Sequence, residues 1–465
     1  MEKDFKYLKI YNLLKEKIER NEFPENSKLP SIRFLAKKFD LNHLTILKVY
    51  NLLEKEGYII KKQGAGAFVK PKEYIFNNSP KDNSIIAFNK GFKNLNSHDE
   101  KFINFVSGSQ DYDEIIFEEI KKVLLDIPLN ILNYTNTQGD EELRKTIKAV
   151  MLEKNIEVST KNIQIINGAQ QGLDLVMKSI ISKTKNKIIV GSPTYHGALN
   201  IFRNNCKIFT VSMEKDGFNM VELEEILKNE KVSFIYTMMD FNCPTGVSWS
   251  DEKKRQLIYL ASKYKTYILE DDFASDLYYK EKRKVFLKNL DRENKVVIYI
   301  KSYSKILASG LRIAFMILPD ELAEKIKTSK FLSDISSSSL DQYVLKEFLK
   351  RRILEKNIKR LREKYRERYL FLKEKLEEIK ILKLEYEVEG GFYIWVKLDE
   401  NIDYNKFYIK SQKKGIFLLP AFSFYLDNKN RPYFRMSFAS TDINDITRGF
   451  YKLKEILEEL NCNPY

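Results

Sequence analysis

The sequence predicts an α/β protein in which a small N-terminal module precedes a large domain with a mostly parallel central sheet. From Phe102 onward, short apolar segments alternate with helical patterns, which is typical of strands and helices that alternate along such a sheet. Residues 1–70 carry helical patterns followed by a glycine-rich hairpin pattern. Residues 71–100 are rich in Asn, Lys, Ser and Asp, which favours a linker between the two parts.

The composition limits the class of protein. The chain has 465 residues, of which 43% are hydrophobic, so we expect two or three domains with sizeable cores. The net charge of +15 favours polyanionic partners, although an AT-rich genome would also raise the Lys content. Three cysteines without paired spacing indicate a reducing compartment. No leader or membrane-spanning pattern occurs, so we expect a cytoplasmic protein, and the three scattered histidines predict no metal site.

The first 70 residues predict a winged helix-turn-helix. An amphipathic helix covers Leu8–Ile18, and Ser31 is a suitable N-cap for a short helix that ends at Phe39. After a tight turn, a second helix of the motif runs from about His43 to Glu56, and residues 57–70 form a hairpin. In this arrangement the second helix of the motif enters the major groove of DNA.

The charge of this module agrees with DNA binding. It contains 13 Lys and 2 Arg against 7 Glu and 2 Asp, a net charge of +6, which is denser than in the whole chain. The alternative is a winged helix that contacts only proteins.

The motifs of this module resemble the GntR family of bacterial regulators. They are Lys28-Leu-Pro-Ser-Ile-Arg33-Phe-Leu-Ala, Leu44-Thr-Ile, Leu53-Glu-Lys-Glu-Gly57-Tyr and Gly64-Ala-Gly66-Ala-Phe-Val. The resemblance implies double-stranded DNA as a partner and an operator-binding face made of Arg33, His43, Thr45, Lys48, Gly64 and Gly66. His43 stands where the family usually has an arginine. A guanidinium reads guanine better than an imidazole does, so the base preference of the family does not carry over.

A lysine-containing loop, residues 301–312, follows an apolar pattern that predicts a buried strand, Val296–Ile300. The amine of Lys305 suits Schiff-base formation with an aldehyde cofactor. Ser302, Ser304 and Arg312 suit a phosphate on the same cofactor. The alternative is a basic surface loop, and other strand ends must decide between them.

Four further strand ends carry residues of matching chemistry. Gly168, Ala169 and Gln170 open a helix after the strand Ile163–Ile166, and a helix N-terminus with small residues suits a phosphate. Tyr195 follows Lys187–Val190 and offers a ring for stacking. Asn242 follows Phe234–Thr237. Asp271 follows Tyr267–Glu270 and could hold a proton on a pyridine nitrogen. The carboxyl ends of parallel strands converge on one crevice.

This succession resembles the fold-type-I aminotransferases, and together with the winged helix it resembles the MocR subfamily of GntR regulators. The resemblance implies pyridoxal 5′-phosphate (PLP) bound to Lys305 as a Schiff base, Asp271 on its pyridine nitrogen and Tyr195 stacked on its ring. It implies further cofactor-binding roles for Gly168, Ala169, Gln170, Asn242, Ser302, Ser304 and Arg312. In a homodimer, Tyr134 would reach the phosphate of the other subunit. Arg435 would bind a substrate or effector carboxylate.

The chain departs from the family at three positions. Phe273 stands where the family has a tyrosine near the phenolic oxygen of PLP, and Cys243 stands where it has an asparagine, although Asn242 is adjacent. Losing both donors should weaken stabilisation of the phenolate. Gly197 lacks the arginine that 4-aminobutyrate-responsive members use, so the effector cannot be assumed to be that compound.

The C-terminal part predicts one long helix from Gln342 to Glu378 and a small α+β subdomain over about residues 380–465. The cations from Arg351 to Arg368 alternate with glutamates, which favours an ion-paired face in solvent over a second DNA-contacting strip.

The sequence leaves three functions open. The first is a PLP-dependent transcriptional regulator that senses an amino compound or PLP itself. The second is a working aminotransferase that carries a DNA-binding domain. The third, a DNA-binding protein with a vestigial large domain, is disfavoured by the presence of Lys305, Asp271 and Arg312.

Overall fold

The chain divides into two compact units, Met1–Ser79 and Pro80–Tyr465. The computed structural model describes residues 2–19, 22–24, 27–55, 58–62, 66–69, 102–108, 113–280, 285–427 and 429–460. The predicted linker, residues 71–100, lies outside the described residues.

The first unit is a winged helix-turn-helix, as predicted. Its elements are α1 (Glu2–Glu19), α2 (Ile32–Phe39), α3 (His43–Lys55), β1 (Ile59–Lys62) and β2 (Gly66–Val69). The predicted cap of α2 is confirmed, since the Ser31 hydroxyl accepts a hydrogen bond from the Phe34 N–H at 3.1 Å. The hairpin gains a third segment that the sequence did not predict, because Leu29 N–H donates to Ala67 O at 2.8 Å.

The centre of the second unit is a mostly parallel sheet of eight strands, as predicted. The strands are β4 (Ile163–Ile166), β5 (Lys187–Ser192), β6 (Lys207–Glu214), β7 (Gly217–Phe218), β8 (Phe234–Thr237), β9 (Tyr267–Asp272), β10 (Val297–Ser302) and β11 (Ala314–Ile317). Their order is β4-β11-β10-β9-β8-β5-β6-β7, with only β11 and β7 antiparallel to their neighbours. Strands β4, β8 and β10 are buried throughout, as strands covered on both faces must be.

Helices surround this sheet. They are α4 (Glu114–Leu125), α5 (Glu141–Glu153), α6 (Ala169–Ile180), α7 (His196–Phe202), α8 (Met220–Asn229), α9 (Asp251–Lys263), α10 (Leu287–Leu290), α11 (Asp320–Asp334), α12 (Ser339–Lys350) and α13 (Ile353–Glu377). The side chains of Asp140 and Ser250 cap α5 and α9, which explains where these helices begin. α6 starts directly after β4, so its N-terminus lies at the carboxyl end of a sheet strand.

The C-terminal part forms a second, smaller sheet. Its strands are β12 (Leu382–Leu384), β13 (Tyr393–Leu398), β15 (Leu419–Pro420) and β16 (Tyr433–Ser437), in the order β12-β13-β16-β15. Helices α14 (Tyr404–Lys413) and α15 (Ile443–Glu459) accompany it. The early strand β3 (Ile103–Asn104) pairs with β14 (Ile416–Phe417), so an early segment of the large unit packs with its C-terminal part.

The prediction of one helix from Gln342 to Glu378 is wrong. The segment forms α12 and α13, which are separated at Arg351 and Arg352. Arg352 adopts a left-handed backbone with φ of 54°, which interrupts the helical hydrogen bonds. Its guanidinium pairs with Glu153 at 3.0 Å, so the charge of Arg352 is partnered within the chain.

Candidate functional site

Two lysines follow each other closely at the end of β10, and their surroundings differ. Lys301 is buried and pairs with Asp272 at 3.0 Å and with Asp276 at 2.6 Å. These two carboxylates outweigh the effect of burial and raise the pKa of Lys301 above its ordinary value. Lys301 is therefore held as a cation in a structural ion pair.

Lys305 has the opposite environment. Burial, together with the guanidinium groups of Arg435 and Arg312, lowers the pKa of Lys305 from 10.5 to about 8. A neutral amine is the nucleophilic form, so Lys305 is the lysine of this loop that is prepared for reaction with an aldehyde.

Asp271, on β9, presents a carboxylate oxygen that lacks a partner. Its Oδ2 accepts a hydrogen bond from the Tyr236 hydroxyl at 3.0 Å, and its Oδ1 has no hydrogen-bond partner among the described residues. Burial raises the pKa of Asp271 to about 6, although the bond from Tyr236 acts against this increase. An unsatisfied, buried carboxylate oxygen is costly, and a ligand N–H would satisfy it.

A third group of residues forms an anion-binding cradle at the start of α6. Gly168 has a φ of 84°, and a Cβ at this position would lie 2.3 Å from the Nη2 atom of Arg312. The Nη1 atom of Arg312 donates to the Ser304 hydroxyl at 3.1 Å. The Ser302 hydroxyl accepts from the N–H of Ser304 at 3.3 Å. The guanidinium, the hydroxyl groups and the helix start thus lie together, which suits a phosphate.

Ala169 and Gln170 are the first two residues of α6, where backbone N–H groups have no partner inside the helix. The side chain of Gln170 points to α7, since its Nε2 donates to Gly197 O at 3.4 Å. For Gln170, the backbone rather than the amide side chain is therefore available to an anion at the helix start.

Tyr195 immediately precedes α7 and lies against Gly197. A Cβ on Gly197 would be 2.5 Å from both the Cζ and the hydroxyl of Tyr195, so only glycine allows this position of the ring. Burial is the main cause that raises the pKa of Tyr195, followed by the charge of Asp271. The carboxylate of Asp271 therefore lies near enough to the Tyr195 hydroxyl for its charge to act there.

Arg435, on β16, is a buried cation that pairs with no carboxylate of the described residues. It is 3% exposed, and its Nη1 donates to the Cys243 sulfur at 3.2 Å. Its Nη2 donates to Val106 O, and its guanidinium stacks on the Tyr393 ring, 4.0 Å from the centroid. Its Nε has no partner among the described residues. A buried cation without an anion is costly, so this group fits the carboxylate of a ligand.

In the turn after β8, Asn242 and its neighbour Cys243 have different partners. The amide of Asn242 donates to the Thr245 hydroxyl at 3.1 Å, inside the turn itself. Its neighbour Cys243 contacts Arg435, and the charge of Lys305 acts on the Cys243 thiol. Burial raises the pKa of that thiol, so it is held in the neutral form.

Tyr393, on β13, is a site residue that sequence reasoning missed. Its ring lies beneath Arg435 and 6.2 Å from the ring of Phe273. A Cβ on Gly108 would be 1.9 Å from its hydroxyl, so a glycine at 108 makes room for this group. The signal was present in Gly390-Gly-Phe-Tyr393, where an aromatic hydroxyl follows two glycines at the start of a strand.

Tyr134 is not part of this site within one chain. It is 83% exposed and lies two residues after the end of a 3₁₀ turn, Leu129–Leu132. Leu125, Leu129 and Leu132 are also strongly exposed. Four large, exposed side chains in ten residues are unusual for a surface that faces only solvent.

The N-terminal unit presents most of the predicted DNA-contacting residues to solvent. Arg33, His43, Lys48 and Gly66 are exposed, and Thr45 is half-buried. Gly66 has a φ of 104°, which fits the glycine-rich turn predicted there. Gly64 lies outside the described residues.

The described residues include neither a metal-ligand cluster nor a membrane-spanning helix. No group of three or more His, Cys, Asp or Glu side chains suited to a metal ion was found within them. Among the helices of this part of the chain, none is both long and apolar enough to cross a membrane.

Comparison with known families assigns both units. The family described as aminotransferase class I and II matches residues 100–453. The chain belongs to this family. The bacterial regulatory proteins of the gntR family match residues 6–69. A GntR-type domain joined to an aminotransferase class I and II domain agrees with the resemblance to the MocR subfamily.

Two relatives that match over nearly their whole length are named as regulators. The chain is 26% identical to the uncharacterized HTH-type transcriptional regulator YdfD of Bacillus subtilis, over 99% of this chain and 98% of the relative. It is 27% identical to the HTH-type transcriptional regulator NorG of Staphylococcus aureus, over 92% of this chain and 98% of that relative. The chain is thus a GntR-type regulator fused to an aminotransferase-like domain.

A solved structure resembles the large unit. The kynurenine aminotransferase of Pyrococcus horikoshii, in complex with PMP, has a TM-score of 0.73 and 28% identity. The match covers 83% of this chain and 96% of the archaeal enzyme.

Proposed function

We propose that this regulator binds PLP in its aminotransferase-like unit and uses the bound cofactor to sense an amino compound or PLP itself. Two features together carry the proposal. The pKa of Lys305 is lowered to about 8, and one buried carboxylate oxygen of Asp271 has no hydrogen-bond partner among the described residues. The presence of PMP, the amine form of PLP, in the related kynurenine aminotransferase supports the choice of cofactor.

The residues present fit PLP at each of its polar groups. When bound, PLP supplies an aldehyde that reacts with amines and a ring that withdraws electrons. Lys305 would hold the aldehyde, and the Oδ1 atom of Asp271 would accept from the pyridine N–H. Gly168, Ser304 and Arg312 would surround the phosphate, and Tyr195 would cover the ring.

Arg435 would select effectors that carry a carboxylate. Its guanidinium is buried, contacts the Cys243 thiol and lies on the Tyr393 ring, so an incoming carboxylate would replace weak partners with a strong one. An α-amino acid carries its amine and its carboxylate on the same carbon, which suits a site with Lys305 and Arg435 together. An effector changes DNA binding only if it interacts differently with two arrangements of the protein.

We propose a homodimer, in which a second copy covers the exposed side chains around Leu129. In such a dimer, Tyr134 of each subunit would reach the phosphate of the other, and two winged helices would contact two half-sites. A Leu129→Lys substitution should shift the protein from dimer to monomer in sedimentation experiments, whereas an unchanged dimer would contradict this interface.

The primary test of cofactor binding uses Lys305→Ala. Purified wild-type protein should show a visible absorption band with PLP that shifts when amino acids are added. Lys305→Ala should lose both the covalent attachment of PLP, trapped by borohydride and located by mass spectrometry, and the effector response in a DNA-binding assay. A response that survives the substitution would show that this mechanism is wrong.

The DNA-binding role has its own test. Affinity for operator DNA should fall steeply with salt, because the unit neutralises phosphates, and Arg33→Ala should weaken binding. A footprint unchanged by Arg33→Ala would contradict the assignment of this face.

The protein would act where the DNA is, so we place it in the cytoplasm.

A second candidate, an active aminotransferase, is favoured by the retention of Lys305, Asp271 and Arg435 in one site. Phe273 and Cys243 argue against efficient turnover, since neither supplies the donor that the family places there. Steady accumulation of a keto acid over many turnovers would favour the enzyme, whereas a single half-reaction would favour the sensor.

A further inference from the structure

The exposed face of α3, the recognition helix, contains two leucines. Leu44 is 65% exposed and Leu47 is 37% exposed. The opposite face of the same helix is buried, with Ile46, Val49 and Leu53 each at 0% exposure. The core therefore fixes the orientation of α3, and the two leucines are not spare core residues.

The polar neighbours of these leucines include one lysine and no arginine. Helical spacing places His43, Leu44, Leu47, Lys48 and Asn51 on the exposed face, and no arginine is among these five residues. The Asn51 amide oxygen accepts a hydrogen bond from Lys61, so this side chain is already engaged. Arginine or lysine bound to guanine is the commonest specific contact in the major groove, and Lys48 is the one such residue among these five.

Apolar side chains in the major groove distinguish one base above the others. Thymine presents a C5 methyl group there, and contact with an apolar side chain recognises it. DNA is favoured over a protein as the occupant of this face because the surrounding charge is positive. Lys37, Lys38 and Lys48 are exposed on α2 and α3, and residues 1–70 carry a net charge of +6.

We propose that Leu44 and Leu47 read thymine methyl groups, so that this regulator selects half-sites with A·T pairs at the positions under the start of α3. The inference rests on the proposed DNA-binding function and adds the class of base that the helix recognises. Lys48 and Arg33 then supply affinity through phosphates, and the leucines supply sequence preference.

The test begins with selection of bound duplexes from a library with a random core, using the full-length protein. Each thymine of the selected site is then replaced by deoxyuridine, which removes only the methyl group. Burial of one methyl group corresponds to about fourfold in affinity, so we expect about fourfold weaker binding at each contacted thymine. Leu44→Ala should bind the thymine and deoxyuridine duplexes equally at the position it reads, and Leu47→Ala should do so at its own position.

Leu8→Ala is the matched control. Leu8 is also an exposed leucine, at 42%, but it lies on α1. This variant should keep the preference for thymine over deoxyuridine. Salt-dependent binding with no deoxyuridine effect, or selection of G·C pairs at these positions, would overturn thymine reading and leave the DNA-binding function intact. A complete failure to bind any duplex at low salt would instead overturn both.

Discussion

The amine of Lys305 should titrate near pH 8, and its rate of reaction with PLP should follow the fraction of neutral amine. Its pKa is lowered from 10.5 to about 8, chiefly by burial and then by Arg435 and Arg312. At pH 7, about one molecule in ten then carries the neutral amine, compared with about three in ten thousand for an ordinary lysine. The reactive fraction is therefore about 300 times larger than that of an exposed lysine.

The assay mixes the cofactor-free protein with PLP between pH 6 and pH 10 and follows the rate of the absorbance change. The rate should rise with pH and level off above about pH 8. Parallel reactions with Nα-acetyl-lysine, whose amine has its ordinary pKa, correct for the titration of PLP itself. Lys305→Ala should remove the protein-bound signal.

Arg435→Gln tests the cause of the shift. The guanidinium of Arg435 is the largest contributor after burial, so its removal should move the levelling-off point to higher pH. A rate that keeps rising to pH 10 in the wild type would show that the amine is not perturbed. The reasoning from burial and neighbouring cations would then be refuted.

Substitutions at Gly168, Asp271 and Lys301 test the phosphate cradle, the carboxylate and the buried ion pair of the large unit. Gly168→Ala should reduce the PLP content of the purified protein, because the new Cβ would lie 2.3 Å from a guanidinium nitrogen of Arg312; normal PLP content would contradict the cradle. Asp271→Asn should weaken PLP affinity about ten- to hundredfold, as expected for the loss of a charged hydrogen bond. The pKa of Asp271 is raised to about 6, so its carboxylate is charged only above this pH. The wild type should therefore bind PLP more tightly than Asp271→Asn above about pH 6, and the two affinities should become equal below it. Lys301→Met should destabilise the large unit by about 3–5 kcal/mol in urea unfolding, because it leaves the buried carboxylate of Asp272 without its cation, whereas loss of the exposed Lys178–Asp174 pair should cost about 0–1 kcal/mol.

The strands that carry the site were predictable from local pattern. Ile163–Ile166 and Phe234–Thr237 have the predicted bounds, and β9 and β10 extend two residues further than predicted, to Asp272 and Ser302. Continuous apolar runs of this length are what a doubly covered parallel strand requires, so the pattern reports burial directly. The ends of β9 and β10 were not predicted, because polar residues at the end of a strand pair in the sheet as well as apolar ones do.

The helix boundary at Arg352 was not predictable. No glycine or proline marks the break, and arginine seldom adopts a positive φ. Contacts distant in sequence, such as the pair with Glu153, accompany this conformation, and such contacts leave no periodic signal in the chain.

By itself, the sequence determined the order of the parts: a winged helix-turn-helix, then strands of a parallel sheet whose ends carry Gly168, Tyr195, Asp271 and Lys305. Local patterns determine this order, because apolar periodicity and capping residues act over a few neighbouring positions.

Only the tertiary structure decided which neighbours act on each group. Lys301 and Lys305 are four residues apart, yet carboxylates keep the first a cation, while burial and guanidinium groups favour the neutral form of the second. Likewise, Cys243 rather than Asn242 contacts Arg435, and Tyr393 joins the site from another sheet. The physical reason is that burial and electrostatic interactions depend on distances in space, which chain folding sets between residues far apart in sequence.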